Sequence, residues 1–167
     1  MTRVFLSIGS NLGSRIGNCR AALLRLSGVR GIIIIRKSGF YAAEPWGGAP
    51  GRSFINCAVE LKTSLRPLEL LGLLKFIERE IGRQEGSQRP RLIDLDIIFY
   101  GDMAVRTRGL VVPHPLAHER AFVLMPLMDI APGFIHPVLK KDVRRLLSGV
   151  KGRAGVRRLD TLIPHCG

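Results

Sequence analysis

Two aspartates, Asp94 and Asp96, are separated by a single residue in an otherwise apolar segment of this chain. The positions that alternate with them hold Ile93, Leu95, Ile97 and Phe99. Apolar residues at every second position are typical of a β-strand with one buried face. Side chains two residues apart on a strand leave the same face, about 6.5 Å apart. The pattern therefore predicts two carboxylates side by side on one rigid strand.

A pair of carboxylates held this close is suited to a divalent metal ion. Hard cations such as Mg²⁺ bind one or two carboxylates and complete their shell with water and phosphate oxygens. Arg91, three residues before Asp94, suits an anionic substrate beside such a metal. The alternative is an exposed, solvated pair of charges without a ligand. Because strands disfavour Asp, and local preferences are most often violated at functional sites, the pattern favours metal-assisted phosphate chemistry.

Length and composition predict a single globular domain over residues 1–167, with a basic C-terminal segment from about residue 138. The chain is 46% hydrophobic and 23% charged, which is ordinary for a globular protein. No apolar run is long enough to span a bilayer, and no signal-peptide pattern opens the sequence. The cysteines, Cys19, Cys57 and Cys166, show no CxxC spacing, so neither a disulfide framework nor a zinc site is predicted. We therefore expect a cytoplasmic protein with reduced thiols and no membrane partner.

The net charge leaves two interpretations open. Lys and Arg number 26 against 13 Asp and Glu, which gives a formal net charge of +13. Such a field attracts nucleic acid, and it also attracts polyphosphates such as ATP. Aromatic residues make up only 6% of the chain and are not interleaved with basic residues as in RNA-recognition modules. We expect no nucleic-acid partner, and a basic RNA-binding module with merely exposed aspartates is the alternative.

The order of the predicted elements indicates the fold. Strands are predicted near residues 4–8, 32–41, 54–63 and 93–99, with helices over 14–26 and 67–81 between them. The order β-α-β-β-α-β is typical of a ferredoxin-like unit, an antiparallel sheet with helices packed on its faces, in the α+β class. Further helices are predicted at 122–128 and 142–147, and a strand at 156–162. Residues 9–13 are interpreted as a turn, and no P-loop sequence is present, so side chains and metals would have to hold any phosphates.

Five short motifs extend this picture over most of the chain. They are Ile8-Gly9-Ser10-Asn11-Leu12-Gly13, Phe54-Ile55-Asn56, Arg91-x-Ile93-Asp94-Leu95-Asp96-Ile97-Ile98, Val112-Pro113-His114-Pro115 and Arg120-x-Phe122-Val123-Leu124-x-Pro126-Leu127. In type and order they resemble the motifs of the 6-hydroxymethyl-7,8-dihydropterin pyrophosphokinase family, roughly over residues 5–137. The resemblance implies an enzyme of folate biosynthesis that moves the β,γ-pyrophosphoryl group of ATP onto the hydroxymethyl oxygen of the reduced pterin and releases AMP. The partners it implies are ATP and the pterin, and we expect the enzyme to be a monomer.

The same resemblance implies roles for individual residues. Asp94 and Asp96 match the ligands of two Mg²⁺ ions that bind ATP, and Arg83 and Arg91 join them as catalytic residues. The positions that match pterin-binding residues are Ala43, Pro45, Trp46, Phe54, Asn56 and Phe122. Those that match ATP-binding residues are Lys75, Glu78, Arg83, Arg89, Arg91, Ile97, His114 and Arg120, with Ile97 acting through its backbone.

Some positions depart from the family's pattern. Ala43 stands where a threonine is common and Phe54 where a tyrosine is frequent, so two hydroxyl groups are lost from the pterin side. The loop over residues 85–90 is shorter than in some relatives and lacks their tryptophan, which affects the expected role of Arg89. A metal-dependent phosphohydrolase, which would cleave ATP without a pterin acceptor, is a further alternative.

Overall fold

The computed structural model describes residues 1–44, 53–82 and 92–160. Its elements in chain order are β1 (Thr2–Ser10), α1 (Arg15–Ser27), β2 (Ile32–Lys37), β3 (Tyr41–Ala43), β4 (Phe54–Thr63), α2 (Pro67–Gly82), β5 (Asp94–Tyr100), β6 (Val105–Arg106), β7 (Val111–Val112), α3 (Ala121–Ile130), α4 (Val143–Ser148) and β8 (Val156–Arg158). Short 3-10 turns lie at Ala117–Glu119 and Arg153–Gly155. Every predicted helix is present. Among the described residues, no helix is both long and apolar enough to cross a membrane.

The main sheet has the strand order β5-β1-β4-β3-β8, and all its pairings are antiparallel. β2 and β3 pair with successive parts of β4, residues 59–63 and 54–56, so together they act as one interrupted strand. The first seven elements, with β2 and β3 counted as one strand, then form the β-α-β-β-α-β unit, with helices packed on an antiparallel sheet. The predicted α+β class and ferredoxin-like order are confirmed.

Helices cover both faces of the sheet, so its internal strand β1 is buried on both sides. Val4, Leu6 and Ile8 belong to the apolar cluster that includes the buried residues of α1 and α2. Phe5 belongs to a second cluster with the buried residues of α3 and α4. Asp94 and Asp96, together with the predicted pterin-side residues Phe54 and Asn56, stand on the α3 side of the sheet.

A β-bulge in β5 changes the direction of one predicted side chain. Phe5 pairs with Phe99 and Leu6 with Ile97, so Ile98 is an extra residue in β5. An extra residue reverses the alternation of side chains beyond it. Leu95 and Ile97 accordingly join the cluster on the α1–α2 side, while Phe99 joins the cluster on the α3–α4 side. The prediction that Phe99 shares a face with Ile97 is wrong, and the bulge is the reason.

The predicted strand over residues 32–41 is interrupted at Ser38. The Ser38 N–H donates to the Ala58 carbonyl at 3.0 Å, and its hydroxyl oxygen accepts from the Ala58 N–H at 2.8 Å. One buried serine therefore satisfies both backbone groups of a residue in β4, and the chain leaves the sheet between β2 and β3. Phe40, in this break, is fully buried.

His136 is a buried residue in the segment between α3 and α4. It is 4% exposed, and its ring meets the Phe99 ring edge to face at 5.4 Å. Its Nδ1 accepts from the backbone N–H groups of Val138 and Leu139, at 3.2 and 3.1 Å. Burial, reinforced by the neighbouring His118, lowers the pKa of His136 below its ordinary value. The ring is therefore neutral at pH 7.

This lowered pKa predicts a pH dependence of stability. Unfolded His136 binds a proton more readily than folded His136. Its contribution to the free energy of unfolding should therefore be fully present above about pH 6.5, the ordinary histidine pKa, and should be lost as the pH drops below that value. In His136→Asn, the amide oxygen still accepts from the two N–H groups but cannot titrate. Urea unfolding at a series of pH values between 8 and 5 should show that the free energy of unfolding falls less steeply with decreasing pH in the variant. An unchanged slope would contradict the prediction, whatever the loss of absolute stability from ring packing.

Candidate active site

A cavity of about 510 Å³ lies between the sheet and the start of α3. Eight residues predicted from the sequence line it: Ala43, Phe54, Asn56, Asp94, Asp96, His114, Arg120 and Phe122. They come from β3, β4, β5, the segment before α3, and α3 itself. Residues far apart in the chain therefore converge on one concave surface.

The floor of the cavity is a row of directly opposed residues on three strands. Asp94 on β5 faces Gly9 on β1, and Gly9 faces Asn56 on β4. Because neighbouring strands lie about 4.8 Å apart, the backbones of Asp94 and Asn56 are about 10 Å apart. Asp96, two residues on, faces Ser7. Gly9, which has no side chain, thus lies between Asp94 and Asn56.

Gly9 keeps this floor open. A Cβ at this position would lie 2.9 Å from Oδ1 of Asn56, closer than real side chains approach. The interpretation of Gly9 as part of a turn is wrong, because Gly9 and Ser10 are paired residues of β1. Glycine inside a strand often marks the close approach of another group, and here that group is the Asn56 side chain.

Asn56 is buried and incompletely hydrogen-bonded. Its side chain is on the cavity side of β4, and the residue is 3% exposed. Its Nδ2 has no hydrogen-bond partner among the described residues. A buried unsatisfied donor costs about 1–3 kcal/mol, so its retention calls for an explanation. A ligand with an acceptor on its edge would supply the partner.

Two aromatic rings stand at the same end of the cavity as Asn56. Phe54 lies opposite Ala43 on β3, and Phe122 lies in the first turn of α3. Both pack against a small apolar cluster formed by Tyr41, Ala43, Ala121 and Val156. The Arg120 guanidinium lies 5.7 Å from the centre of the Phe122 ring. Aromatic walls beside a polar edge suit a flat, heteroaromatic ligand.

His114 stands near the carboxylates as a neutral donor. Its backbone N–H donates to the Ile98 carbonyl at 3.0 Å, and its Nδ1 accepts from the Leu116 N–H at 3.2 Å. Burial lowers the pKa of His114, the nearby Arg120 lowers it further, and the Asp96 charge opposes them. At pH 7 the ring is therefore uncharged, with its proton on Nε2.

Three other predicted residues lie at the outer edge of β5 and do not line the described cavity. Glu78 is buried, and its Oε1 accepts from the Leu95 N–H at 2.7 Å and from Lys75 Nζ at 2.8 Å. The Leu95 N–H therefore points away from β1. Since backbone groups alternate in direction along a strand, the N–H of Ile97 points the same way. Lys75, Glu78 and the Ile97 backbone thus share one edge.

The remaining predicted residues, Pro45, Trp46, Arg83, Arg89 and Arg91, lie outside the described part of the chain. Seven residues that line the cavity were not predicted as site residues: Ser7, Gly9, Glu44, Ile98, Leu116, Glu119 and Val123. Ser7 lies two residues before Gly9 on the same face of β1, so the strand period could have found it. Glu119 lies in a 3-10 turn, where no periodic signal exists.

The carboxylate pair fits a metal ion that is also held by its substrate. Asp94 and Asp96 are half-buried and open into the cavity. Among the described residues, no group of three or more His, Cys, Asp or Glu could hold a metal ion. A protein cage for a structural metal is therefore not formed there. Two carboxylates are the donor set that Mg²⁺ uses when phosphates and water complete its shell.

The close approach at Gly9 gives a testable expectation. In Gly9→Ala the new methyl group should displace the Asn56 amide, and affinity for a ligand that bonds this amide should fall about tenfold, the equivalent of one modest hydrogen bond. Gly72→Ala is the matched control, because a Cβ at Gly72 meets nothing within 4 Å. That variant should gain helix stability without any effect on binding. Equal ligand affinity in both variants would show that Gly9 does not control the amide.

Comparisons with known proteins agree on one family. The family model described as 7,8-dihydro-6-hydroxymethylpterin-pyrophosphokinase matches residues 5–132. The 2-amino-4-hydroxy-6-hydroxymethyldihydropteridine pyrophosphokinase of Aquifex aeolicus is 39% identical, over 86% of this chain and 89% of that protein. The protein of the same name from Bacillus subtilis is 41% identical, over 75% of this chain and 76% of its own.

Other relatives are much longer. The folic acid synthesis protein FOL1 of Dictyostelium discoideum is 42% identical over 86% of this chain, which corresponds to 22% of that protein. The chain thus spans about a fifth of the length of this relative and of its counterpart in Pneumocystis carinii. A solved structure of HPPK-DHPS in complex with substrates superposes with a TM-score of 0.77 at 16% identity, over 96% of this chain and 47% of that one. At that identity the superposition shows a shared fold.

Proposed function

Because the chain belongs to the 7,8-dihydro-6-hydroxymethylpterin-pyrophosphokinase family, we propose that it transfers pyrophosphate from ATP to the hydroxymethyl group of 6-hydroxymethyl-7,8-dihydropterin and releases AMP, in folate biosynthesis. One observation carries the proposal. In a single cavity, the buried Asn56 amide, whose Nδ2 has no partner among the described residues, lies at one side. Asp94, with its backbone about 10 Å away across Gly9, lies with Asp96 at the other side. A pterin on the amide can then direct its hydroxymethyl arm toward phosphates held at the carboxylates.

The pterin end is assigned to Asn56, Phe54, Phe122 and Ala43. The Asn56 amide offers both a donor and an acceptor, which matches the paired donors and acceptors on a pterin edge. Phe54 and Phe122 offer apolar faces for the ring. Because Ala43 and Phe54 lack hydroxyl groups, Asn56 is the polar side chain among the four described residues assigned to this end. By resemblance, Pro45 and Trp46 belong to the same end.

The phosphate end is assigned to Asp94 and Asp96, which would hold two Mg²⁺ ions together with the ATP phosphates. When bound, such ions neutralise phosphate charge and acidify the attacking hydroxyl. His114 donates its Nε2 proton as a hydrogen bond to a phosphate oxygen, and Arg120 adds a fixed positive charge. By resemblance, Arg83, Arg89 and Arg91 contribute further guanidinium groups.

The adenosine end is assigned to the outer edge of β5. There the backbone of Ile97 can pair with the adenine edge, as a further strand would. Glu78 and Lys75 lie beside it and offer an acceptor and a donor for the ribose. With adenosine at this edge, the triphosphate would cross β5 and reach Asp94 and Asp96 on its cavity face.

The reaction needs positioning and charge stabilisation more than a dedicated nucleophile. The hydroxymethyl oxygen forms a bond to the β-phosphorus, and the bond from that phosphorus to the oxygen bridging to the α-phosphate breaks. AMP leaves with the bridging oxygen, and the hydroxyl proton is released to solvent. The side chains of the cavity hold the two substrates in line, which can supply several kcal/mol by proximity alone, about 7–11 kcal/mol in favourable cases.

The decisive assay is incubation with ATP, Mg²⁺ and the hydroxymethyl-dihydropterin, followed by separation of the nucleotides. AMP and the pterin diphosphate should form in equal amounts, and omission of Mg²⁺ should abolish both. ADP as the product, or ATP loss without a pterin acceptor, would show a different phosphotransferase or a phosphohydrolase. RNA binding that falls steeply with salt, without AMP formation, would favour the nucleic-acid alternative.

We further propose that the enzyme is a monomer of the cytoplasm. The free thiols of Cys19 and Cys57 fit a reducing compartment. Sedimentation at working concentrations tests the first point.

A further inference from the structure

We propose that Asp129 is a positioning residue for the pterin end of the cavity, which it fixes by joining the helix that bears Phe122 to the strand that bears Tyr41 and Ala43. The inference rests on the proposed function, since it concerns how that function's substrate is held. Asp129 lies in the last turn of α3 and does not line the cavity.

Asp129 binds two residues of the β3 region at once. Its Oδ1 accepts from the Tyr41 hydroxyl at 2.8 Å, and its Oδ2 accepts from the Gly39 N–H at 2.9 Å. Hydrogen bonds to a charged acceptor are stronger than neutral ones. Two such bonds in different directions fix both the position of α3 along the strand and its rotation, which a single apolar contact cannot do.

Tyr41 connects this anchor to the site. It is 5% exposed and lies directly opposite Asn56 across β3 and β4, so the two side chains are neighbours on one face. Ala43, two residues further on, lines the cavity. Burial, and then the hydrogen bond and charge of Asp129, raise the pKa of Tyr41 to about 12. The hydroxyl therefore stays a donor to Asp129 throughout the physiological range.

The C-terminal strand β8 also contacts the Asp129 anchor. β8 pairs with β3, with Arg158 opposite Tyr41 and Val156 opposite Ala43. The Arg158 guanidinium lies 3.7 Å from Oδ2 of Asp129 and covers Gly39, where a Cβ would come within 2.7 Å of its Nε. Val156 packs in the cluster that supports Phe54 and Phe122. Residues of the basic C-terminal segment, beyond the range matched by the family model, thus support the pterin end.

The pterin slot is the part of the cavity between Phe122 on one side and Ala43, Phe54 and Asn56 on the other, and the anchor affects the distance between these two sides. Phe122 and Arg120 are carried by α3 and its first residues, whereas Ala43, Phe54 and Asn56 are carried by the sheet. The distance between the two sides depends on how α3 sits on the sheet. Loss of the Asp129 anchor removes the bonds that hold the end of α3 to Gly39 and Tyr41, and misplacement by about 1 Å can cost a hundredfold in a positioned site.

The test compares Asp129→Asn with the unaltered protein and with Asp142→Ala. Asp142 caps α4 by accepting from the Arg145 N–H at 2.7 Å, so its loss lowers stability without touching the pterin slot. Affinity for the pterin, measured with Mg²⁺ and a nonhydrolysable ATP analogue present, should fall about tenfold to a hundredfold in Asp129→Asn. Affinity for the ATP analogue alone should stay within about twofold, because the adenosine edge lies on β5.

A second readout reports the contact itself. The chain has only two tyrosines, Tyr41 and Tyr100, so phenolate absorbance can be assigned with Tyr41→Phe. In Asp129→Asn the pKa of Tyr41 should fall from about 12 toward its ordinary value. Tyr41→Phe should weaken pterin binding in the same direction as Asp129→Asn.

The outcomes separate the two ideas. If the unaltered protein binds no pterin, the proposed function is wrong and the inference falls with it. If the unaltered protein binds pterin and Asp129→Asn binds it equally well, as Asp142→Ala should, the positioning role alone is wrong. A common loss of affinity for pterin and ATP would also overturn it, since that would indicate a general loss of structure.

Discussion

Replacing Asp96 with Asn is expected to lower turnover by about a thousandfold while the protein stays folded. The substitution keeps the shape of the side chain and removes the charge that would hold a metal ion against the phosphates. Metal ions supply several kcal/mol of charge stabilisation in such reactions, and about 4 kcal/mol corresponds to roughly a thousandfold in rate. Asp94→Asn should act in the same direction, and the double variant should be little worse than either, because the two carboxylates act as a unit.

The thermal stability of the ligand-free Asp96→Asn protein should not fall with its turnover. Asp94 and Asp96 leave the same face of β5, where two like charges repel. Loss of the Asp96 charge should therefore leave the melting temperature of the ligand-free protein unchanged or raised. Asp102→Asn, an exposed carboxylate in the turn after β5, is the matched control and should keep full activity. AMP formation and thermal unfolding measure both effects. Near-normal turnover in Asp96→Asn would remove the metal from the mechanism.

The fold was predictable because its apolar periods are strong and local. Ile55, Cys57 and Val59 alternate along β4, and Leu70, Leu74 and Ile77 mark one face of α2, so each element could be recognised alone. The bulge at Ile98 was not predictable. Residues 97–99 are all apolar, and which of them is extra depends on pairing with Phe5 and Leu6, far away in the chain.

The site was predictable where strand geometry determines it. The spacing of Asp94 and Asp96 is enough to place both carboxylates on one face, and both line the cavity. Gly9 was misinterpreted because its local sequence resembles a turn, whereas its role comes from register, which sets it between Asp94 and Asn56. Asp129 gives no sequence signal, since its partners Gly39 and Tyr41 are brought to it only by packing of α3 on the sheet.

Replacing Asn56 with Leu is expected to abolish most pterin binding while preserving or improving stability. The Nδ2 of Asn56 is buried without a partner among the described residues, so the ligand-free protein carries the cost of an unsatisfied donor. Leu has a similar shape and removes that cost. With pterin bound, however, the ring's polar edge would face a methyl group. Two lost hydrogen bonds at about 1–2 kcal/mol each correspond to a loss of roughly a hundredfold in kcat/KM for the pterin.

Asn18 provides the contrast that separates binding from folding. Its Nδ2 donates to the Ser10 hydroxyl and to the Leu12 carbonyl, both at 3.0 Å, and it does not line the cavity. Asn18→Leu should therefore lower the free energy of unfolding and leave KM for the pterin unchanged. Asn56→Leu should do the reverse, and ATP-analogue affinity should be normal in both. If Asn56→Leu instead lost stability and kept its pterin KM, the unsatisfied amide would be structural, and the pterin would have to be recognised elsewhere in the cavity.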